Sequence, residues 1–248
     1  MNTAPDMTPQ QEELSDTSAS GLALYRRLAV GGASTPYFIA YEAALLLFSG
    51  LPGLLGLGIR SLAYPGLFRS CGRRPAFGRG VVLRVPNQVS LGSGVVVDDY
   101  AALDVRGEGA SIEIKDRAII GRFTAVAAKG GTVSLGAGCN IGSHCRIATN
   151  SKVEIGESVL LGAYCYVGPG NHQQGEEGQS LISSPMELRG GVSIGDHAWL
   201  GTRVTVLDGV KIGRHAIIGA HSLVMEDVPD YGVAVGAPAK VIRINAPH

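Results

Sequence analysis

The sequence predicts a mainly β fold, a parallel β-helix of about six to seven triangular coils, preceded by an apolar helical segment. Three observations carry this. Aliphatic residues recur every sixth position from the region of Phe77 to Val224. Glycine, with 36 residues in 248, is spread along those repeats rather than clustered, which points to repeated turns. Ahead of the repeats, residues 43–59 run without a single charge.

Residues 1–20 are polar and acidic, with almost nothing apolar to bury, and read as a disordered tail. They have neither the basic start nor the apolar core of a secretory signal. Residues 21–76 form the helical region. Within it, 37–68 (YFIAYEAALLLFSGLPGLLGLGIRSLAYPGLF) is marginal for a straight membrane span, which needs about 20 apolar residues and few breakers. Gly50, Pro52, Gly53, Gly56 and Gly58 interrupt it, so two short helices hinged at SGLPG are expected. Arg26 and Arg27 precede the run and Arg60, Arg69, Arg73 and Arg74 close it, a border that anionic lipid would attract. The expectation is a peripheral contact with the cytoplasmic face of a membrane through 37–68. The alternative is a hairpin packed on the protein's body or on a sister subunit.

Residues 77–228 carry the repeat. Its triplets are Leu91, Val97, Leu103; Ile114, Ile120, Val126; Leu135, Ile141, Ile147; Ile155, Leu161, Val167; Ile194, Leu200, Val206; and Ile212, Ile218, Val224. Neither a helix nor an alternating strand has a period of six. Three short strands per turn, each with one inward aliphatic and a corner after it, do have that period. Small residues four places after the aliphatics, among them Cys139, Cys145 and Cys165, fill the remaining inward slots, where cysteine acts as a compact hydrophobe. Residues 229–248 form a C-terminal cap and tail.

Lys plus Arg and Asp plus Glu each number 21, so no global basic field points to nucleic acid. The four cysteines offer no CxxC, which argues against a zinc site and for a reduced, cytoplasmic setting.

One break stands out. Val167 and Ile194 are twenty-seven residues apart, where other triplets follow one another within six to eleven. The segment 168–191 (GPGNHQQGEEGQSLISSPMELRGG) is an extruded loop, and long loops in compact domains are usually functional or disordered. It carries His172 near its start and the carboxylates Glu176, Glu177 and Glu187.

Residues 191–243, GVSIGDHAWLGTRVTVLDGVKIGRHAIIGAHSLVMEDVPDYGVAVGAPAKVIR, resemble the carboxy-terminal signature of the hexapeptide-repeat acyltransferases, among them galactoside, maltose and surface-polysaccharide O-acetyltransferases. The resemblance extends over 77–243. It implies a left-handed β-helix, a homotrimer with active sites in the clefts between prisms, acetyl-CoA as donor, no metal, and a small-molecule or lipid-linked sugar as acceptor. It places the general base at His172, beside Asn171 as a substrate contact, with one of Glu176, Glu177 or Glu187 orienting the imidazole. The backbone N–H of Thr202 becomes the oxyanion donor and Trp199 the aromatic wall. His144 falls where relatives carry an acceptor-contacting Asn. The backbone at Gly201, Gly219 and Ala220 meets the pantetheine arm, and Lys240 and Arg243 meet the phosphates. Met225 and Glu226 depart from the Thr-Lys pair of relatives, removing one phosphate contact. A neutral imidazole suits acyl transfer because its unperturbed pKa of about 6.5 lies near working pH. Transfer to an amino sugar, transfer of a longer acyl group from a carrier, and a non-catalytic trimeric scaffold remain alternatives. His197 and His215 are expected to stack on the surface, with Asp196 and Arg214 paired beside them.

Overall fold

The computed structural model describes residues 20–168, 171–172 and 186–246. Three helices open it: α1 (Gly21–Val30), α2 (Thr35–Phe48) and α3 (Gly53–Ala63). Ser20 caps α1 by accepting the Ala23 N–H at 3.2 Å. The apolar run breaks at 49–52, inside the expected SGLPG hinge, and Pro52 and Gly53 start α3 with Gly53 at φ +65°. Arg60 holds the hinge together. Its guanidinium, almost fully buried, donates to the carbonyls of Leu51 (2.7 Å), Phe77 (2.8 Å) and Phe48 (3.1 Å). A cation at the C-terminal end of α2 also meets the favourable end of that helix's dipole. A Cβ on Gly56 would meet the Leu51 carbonyl oxygen at 2.1 Å, so only glycine lets α3 pack this close to the hinge.

Beyond the helices the chain winds through seven coils. Each coil gives one short strand to each of three seven-membered parallel stacks, and the second stack is extended at its far end by a hairpin. The register puts the aliphatic triplets directly above one another. Leu91, Ile114, Leu135, Ile155, Ile194 and Ile212 align on the first face. Val97, Ile120, Ile141, Leu161, Leu200 and Ile218 align on the second. All of them are buried. Every inter-coil strand pairing is parallel, as the six-residue period requires.

The solenoid begins at Ser70–Cys71, one coil ahead of the first triplet named above. Cys71, Phe77 and Leu83 are themselves spaced six and six, but a cysteine and an aromatic ring disguise the aliphatic pattern. The ring has a purpose. Phe77 stacks on Phe68 (centroids 5.4 Å apart, 8° between planes) and against Tyr64 (5.5 Å), plugging the open base of the prism. At the other end the antiparallel pair Gly232–Gly236 and Ala239–Ile244 extends the second face and covers the last coil's edge.

Cys139, Cys145 and Cys165 fill the small inward slots and are buried. Burial pushes the Cys139 thiol up to about 12. The contact with Cys165, together with burial, raises that of Cys145. Cys145 and Cys165 donate weakly to the Gly162 and Gly201 carbonyls, each at 3.2 Å.

Two outcomes follow from this core. Leu161→Ala, which opens a hole in the middle of the second-face ladder, lowers unfolding stability by about 3 kcal/mol in denaturant titration. A thiol reagent applied to the native protein reacts slowly with Cys71 alone, and all four cysteines become reactive only after unfolding.

Candidate active site

The extruded loop leaves the third face after Tyr166–Val167. Asn171–His172 then pairs antiparallel with Met186–Glu187, His172 opposite Met186 and Asn171 opposite Glu187. The returning chain is pinned to the next coil. The Arg189 N–H donates to the mostly buried Asp208 carboxylate, and the Gly209 N–H donates to the Gly191 carbonyl at 2.8 Å. His172 therefore sits on a backbone ladder anchored at its root. Glu187 pairs with Arg189 at 3.3 Å, so its carboxylate has a partner of its own. Glu176 and Glu177 lie outside the described residues.

The second corner, between the second and third faces, holds Thr202. Its hydroxyl donates to the Ala163 carbonyl at 2.7 Å. Its backbone N–H has no acceptor among the described residues. A Cβ on Gly162 would meet that nitrogen at 2.6 Å, so the coil below must carry glycine there. The same corner in the neighbouring coils repeats the situation: the N–H groups of Arg122, Ser143, Ala163 and Ala220 are also without acceptors among the described residues. At the first corner the amides of Asp116, Ala137 and Asp196 are likewise without acceptors among the described residues, but there and in the first two coils of the second corner others are taken by carboxylates. Asp99 accepts from Arg79 N–H, Asp98 from Asp99 N–H, Asp116 from Ser93 N–H and Asp196 from Glu157 N–H, each at 2.7 Å. One edge of the prism thus presents a column of open donors one coil apart, and Thr202 belongs to it.

Beside that column runs a ladder of side chains. Tyr100, Phe123, His144 and Tyr164 stack with centroids 5.2, 4.9 and 4.8 Å apart, and Arg203 lies over Tyr164 at 5.3 Å. All five have φ between +56° and +62°, the left-handed conformation this corner imposes. His144, the expected acceptor contact, is exposed within this ladder, next in sequence to the open Ser143 amide. Trp199 is half exposed on the second face between Leu160 and Ile217, three residues ahead of Thr202. Gly201, Gly219 and Ala220 line the same corner in the last coils.

Lys240 and Arg243 lie on the outer strand of the capping hairpin, opposite Val235 and Val233. Lys240 is already engaged: its ammonium is 3.1 Å from Glu226. The departure at Glu226 therefore removes one positive group and also pairs with another.

Along the chain of each coil, Thr202 and the root of the loop that bears His172 fall at opposite ends of the third face. Thr202 stands at the corner before the third-face strand Thr205–Val206, whereas the loop that bears His172 leaves after Tyr166–Val167, the strand paired with it.

The first corner behaves differently. His197, His215 and Tyr231 stack at 4.8 and 5.1 Å, as expected of a surface ladder. The expected pairing of Asp196 with Arg214 is not made. Asp196 is committed to the Glu157 amide of the coil before it, and Arg214 pairs instead with Asp230 at 2.9 Å. The column of open amides was missed in the sequence. Its only trace is negative, the absence of Asp at the second corner after the second coil.

Residues 191–225 match the family profile described as bacterial transferase hexapeptide (six repeats). The chain is 35% identical over 160 residues to a probable acetyltransferase of Mycobacterium tuberculosis, covering 62% of this chain and 49% of that protein. It thus spans about half the length of the curated relative it matches. Among solved structures it resembles AntD, an N-acyltransferase from Bacillus cereus, in complex with dTDP and 3-hydroxybutyryl-CoA. There the TM-score is 0.52 with 20% identity, over 75% of this chain and 88% of that one. A variant of the same enzyme with dTDP-4-amino-4,6-dideoxyglucose and coenzyme A gives 0.51 and 18%, over 76% and 90%. At these identities the likeness is one of fold.

Proposed function

We propose that this chain, whose residues 191–225 match the bacterial transferase hexapeptide profile, is an acyltransferase. On this reading it moves an acetyl group from acetyl-CoA to a hydroxyl of a sugar or lipid-linked glycan, in a homotrimer. The observation that carries the reading is the column of open amides at the second corner. A flexible donor with alternating amide and carbonyl groups, such as a pantetheine arm, can lie along such an edge and satisfy it without any change in the protein. The identity to a probable acetyltransferase supports the same reaction class.

The chemistry then assigns itself to the ends of the third face. His172 of one chain takes the proton of the acceptor hydroxyl as its oxygen attacks the thioester carbonyl. The Thr202 N–H of a neighbouring chain donates to the oxyanion that forms. The carbon–sulfur bond breaks, the imidazolium returns its proton to the departing thiolate, and the acceptor leaves as an ester. Because the two groups belong to opposite ends of the third face, this reading has the site completed between chains. Trp199 walls the cleft, and His144 and Asn171 contact the acceptor.

The Glu226–Lys240 pair favours one second reading, in which the donor is an acyl group on a carrier protein and no phosphate needs Lys240. Glu226→Gln separates the two. If acetyl-CoA is the donor, its KM falls about two- to fivefold with kcat unchanged, the modest effect expected of one exposed charge. A carrier-bound donor leaves the acetyl-CoA kinetics untouched.

The main test follows thiol release from acetyl-CoA by the full chain, with simple sugars and with a membrane lipid extract. His172→Ala lowers turnover by about 10²- to 10⁴-fold, the usual range for a general base. Turnover unchanged in that variant overturns the assignment.

A further inference from the structure

The helices at the base of the prism have two unlike sides. The inner side of α2 is fixed to the solenoid: Tyr41 donates to the Leu83 carbonyl at 2.7 Å, Tyr37 donates to that of Leu67, and Tyr41 and Ala44 are buried. The outer side has no partner. Ile39, Leu46 and Leu47 on α2, and Leu54, Leu55 and Leu62 on α3, are 59–86% exposed. Within each helix these residues are spaced by seven and eight, so each helix presents a single apolar stripe. Isolated exposed leucines are ordinary, but six on two adjoining helices are not.

The charge around them has one sign. Residues 20–97 hold eight arginines, no lysine and a single acid, Glu42, although the whole chain is neutral. Glu42 accepts a hydrogen bond from Tyr25 at 2.8 Å. Arg60 is internal, as described above. Arg69, Arg73, Arg74, Arg79 and Arg84 belong to the first coil, the end of the prism on which the helices sit, and none makes an ion pair among the described residues. Some acids stand close behind: Asp98 and Asp99 in the second coil face Arg122, and Asp104 is taken by Arg106.

We propose that this end of the molecule docks on an anionic lipid bilayer, the two leucine stripes entering the headgroup boundary and the arginine collar resting on the charged surface. No helix of the described residues is long and apolar enough to cross a membrane. The 14 residues of α2 and 11 of α3 reach about 21 and 16 Å against a hydrocarbon core of roughly 30 Å. Helices of that length lie in the interface rather than span it. A second copy of the chain fits the same surface poorly, because a symmetric contact brings two arginine collars together. The polar segment 1–19, with Met1, Met7 and Leu14 as its only large apolar residues, has too little to cover six exposed aliphatics.

The test is co-sedimentation of the full chain with phosphatidylcholine vesicles, with and without phosphatidylglycerol. Binding is read without acyl donor or acceptor, so its outcome is independent of the proposed reaction. The wild type is expected to pellet with the anionic vesicles and to be released by high salt. Leu46→Glu/Leu54→Glu/Leu55→Glu lowers the bound fraction at least tenfold while leaving the cooperative unfolding of the solenoid intact, since all three side chains are exposed. Arg73→Glu/Arg79→Glu, which leaves the stripes untouched, weakens binding to anionic vesicles selectively. Failure of the wild type to bind either vesicle overturns the proposal, as does undiminished binding of the triple-leucine variant. An assembly that shrinks in that variant without any vesicle binding assigns the face to a second copy and overturns it too.

Discussion

Everything in this molecule depends on one constraint, the parallel register that stacks an inward aliphatic on its counterpart one coil away. Once Leu135, Ile141 and Ile147 occupy the three walls of one coil, the next can add itself only by placing Ile155, Leu161 and Val167 in the same positions. A one-residue slip would turn every one of those side chains outward. The corners inherit this rigidity. They fall at the same place in each coil, so whatever they carry is delivered as a column: open amides, stacked rings or carboxylate caps. A solenoid of this kind makes its surface features by repetition along the axis.

That repetition explains what could be read from the chain. Six of the seven coils, the buried cysteines and the extrusion after Val167 were legible because each is either a match to the period or a gap in it. The first coil was not, because Cys71 and Phe77 substitute chemically different residues into the same geometric slots. The hinge between α2 and α3 was legible from Pro52 and its flanking glycines. Arg60 was not recognisable as an internal strap, since nothing local distinguishes it from the arginines that border the apolar run. Its role depends on three carbonyls brought together by the fold, those of Phe48, Leu51 and Phe77.

The candidate site was half legible. His172, Trp199 and Thr202 are marked by the loop and by the C-terminal motif, and the structure adds where they stand relative to one another. The stacking of Phe123, His144 and Tyr164 could be anticipated only by knowing that positions one coil apart share a corner, although the coils differ in length by several residues. The exchange of partners at the first corner has the same origin. A carboxylate beside an unpaired corner amide is held by that backbone N–H, a donor that cannot move away, and an arginine on a flexible stem must then find another acid. Asp196 illustrates the rule and Arg214 its consequence.

On the proposed reaction, the placement of His172 and Thr202 at opposite ends of the third face bears on how a prism can serve chemistry between two substrates. The interior of the prism is filled by the aliphatic ladders, and its faces carry only shallow clefts, such as one of about 440 Å³ along the first face beside Leu91, Lys115 and Asp116. A deeper cleft arises where something projects from a face or where two prisms meet. Here the projection and the open-donor edge lie at opposite ends of the third face, and the proposed reaction assigns the base to one and the thioester arm to the other. Bringing them into register requires the edge of one prism to approach the loop of another. The spacing of donors along that edge is already set by the coil rise, so the second chain contributes position rather than new binding groups. If the proposed reaction holds, assembly and catalysis share a single requirement: a chain that folds but remains alone holds the two halves of the proposed site at opposite ends of one face.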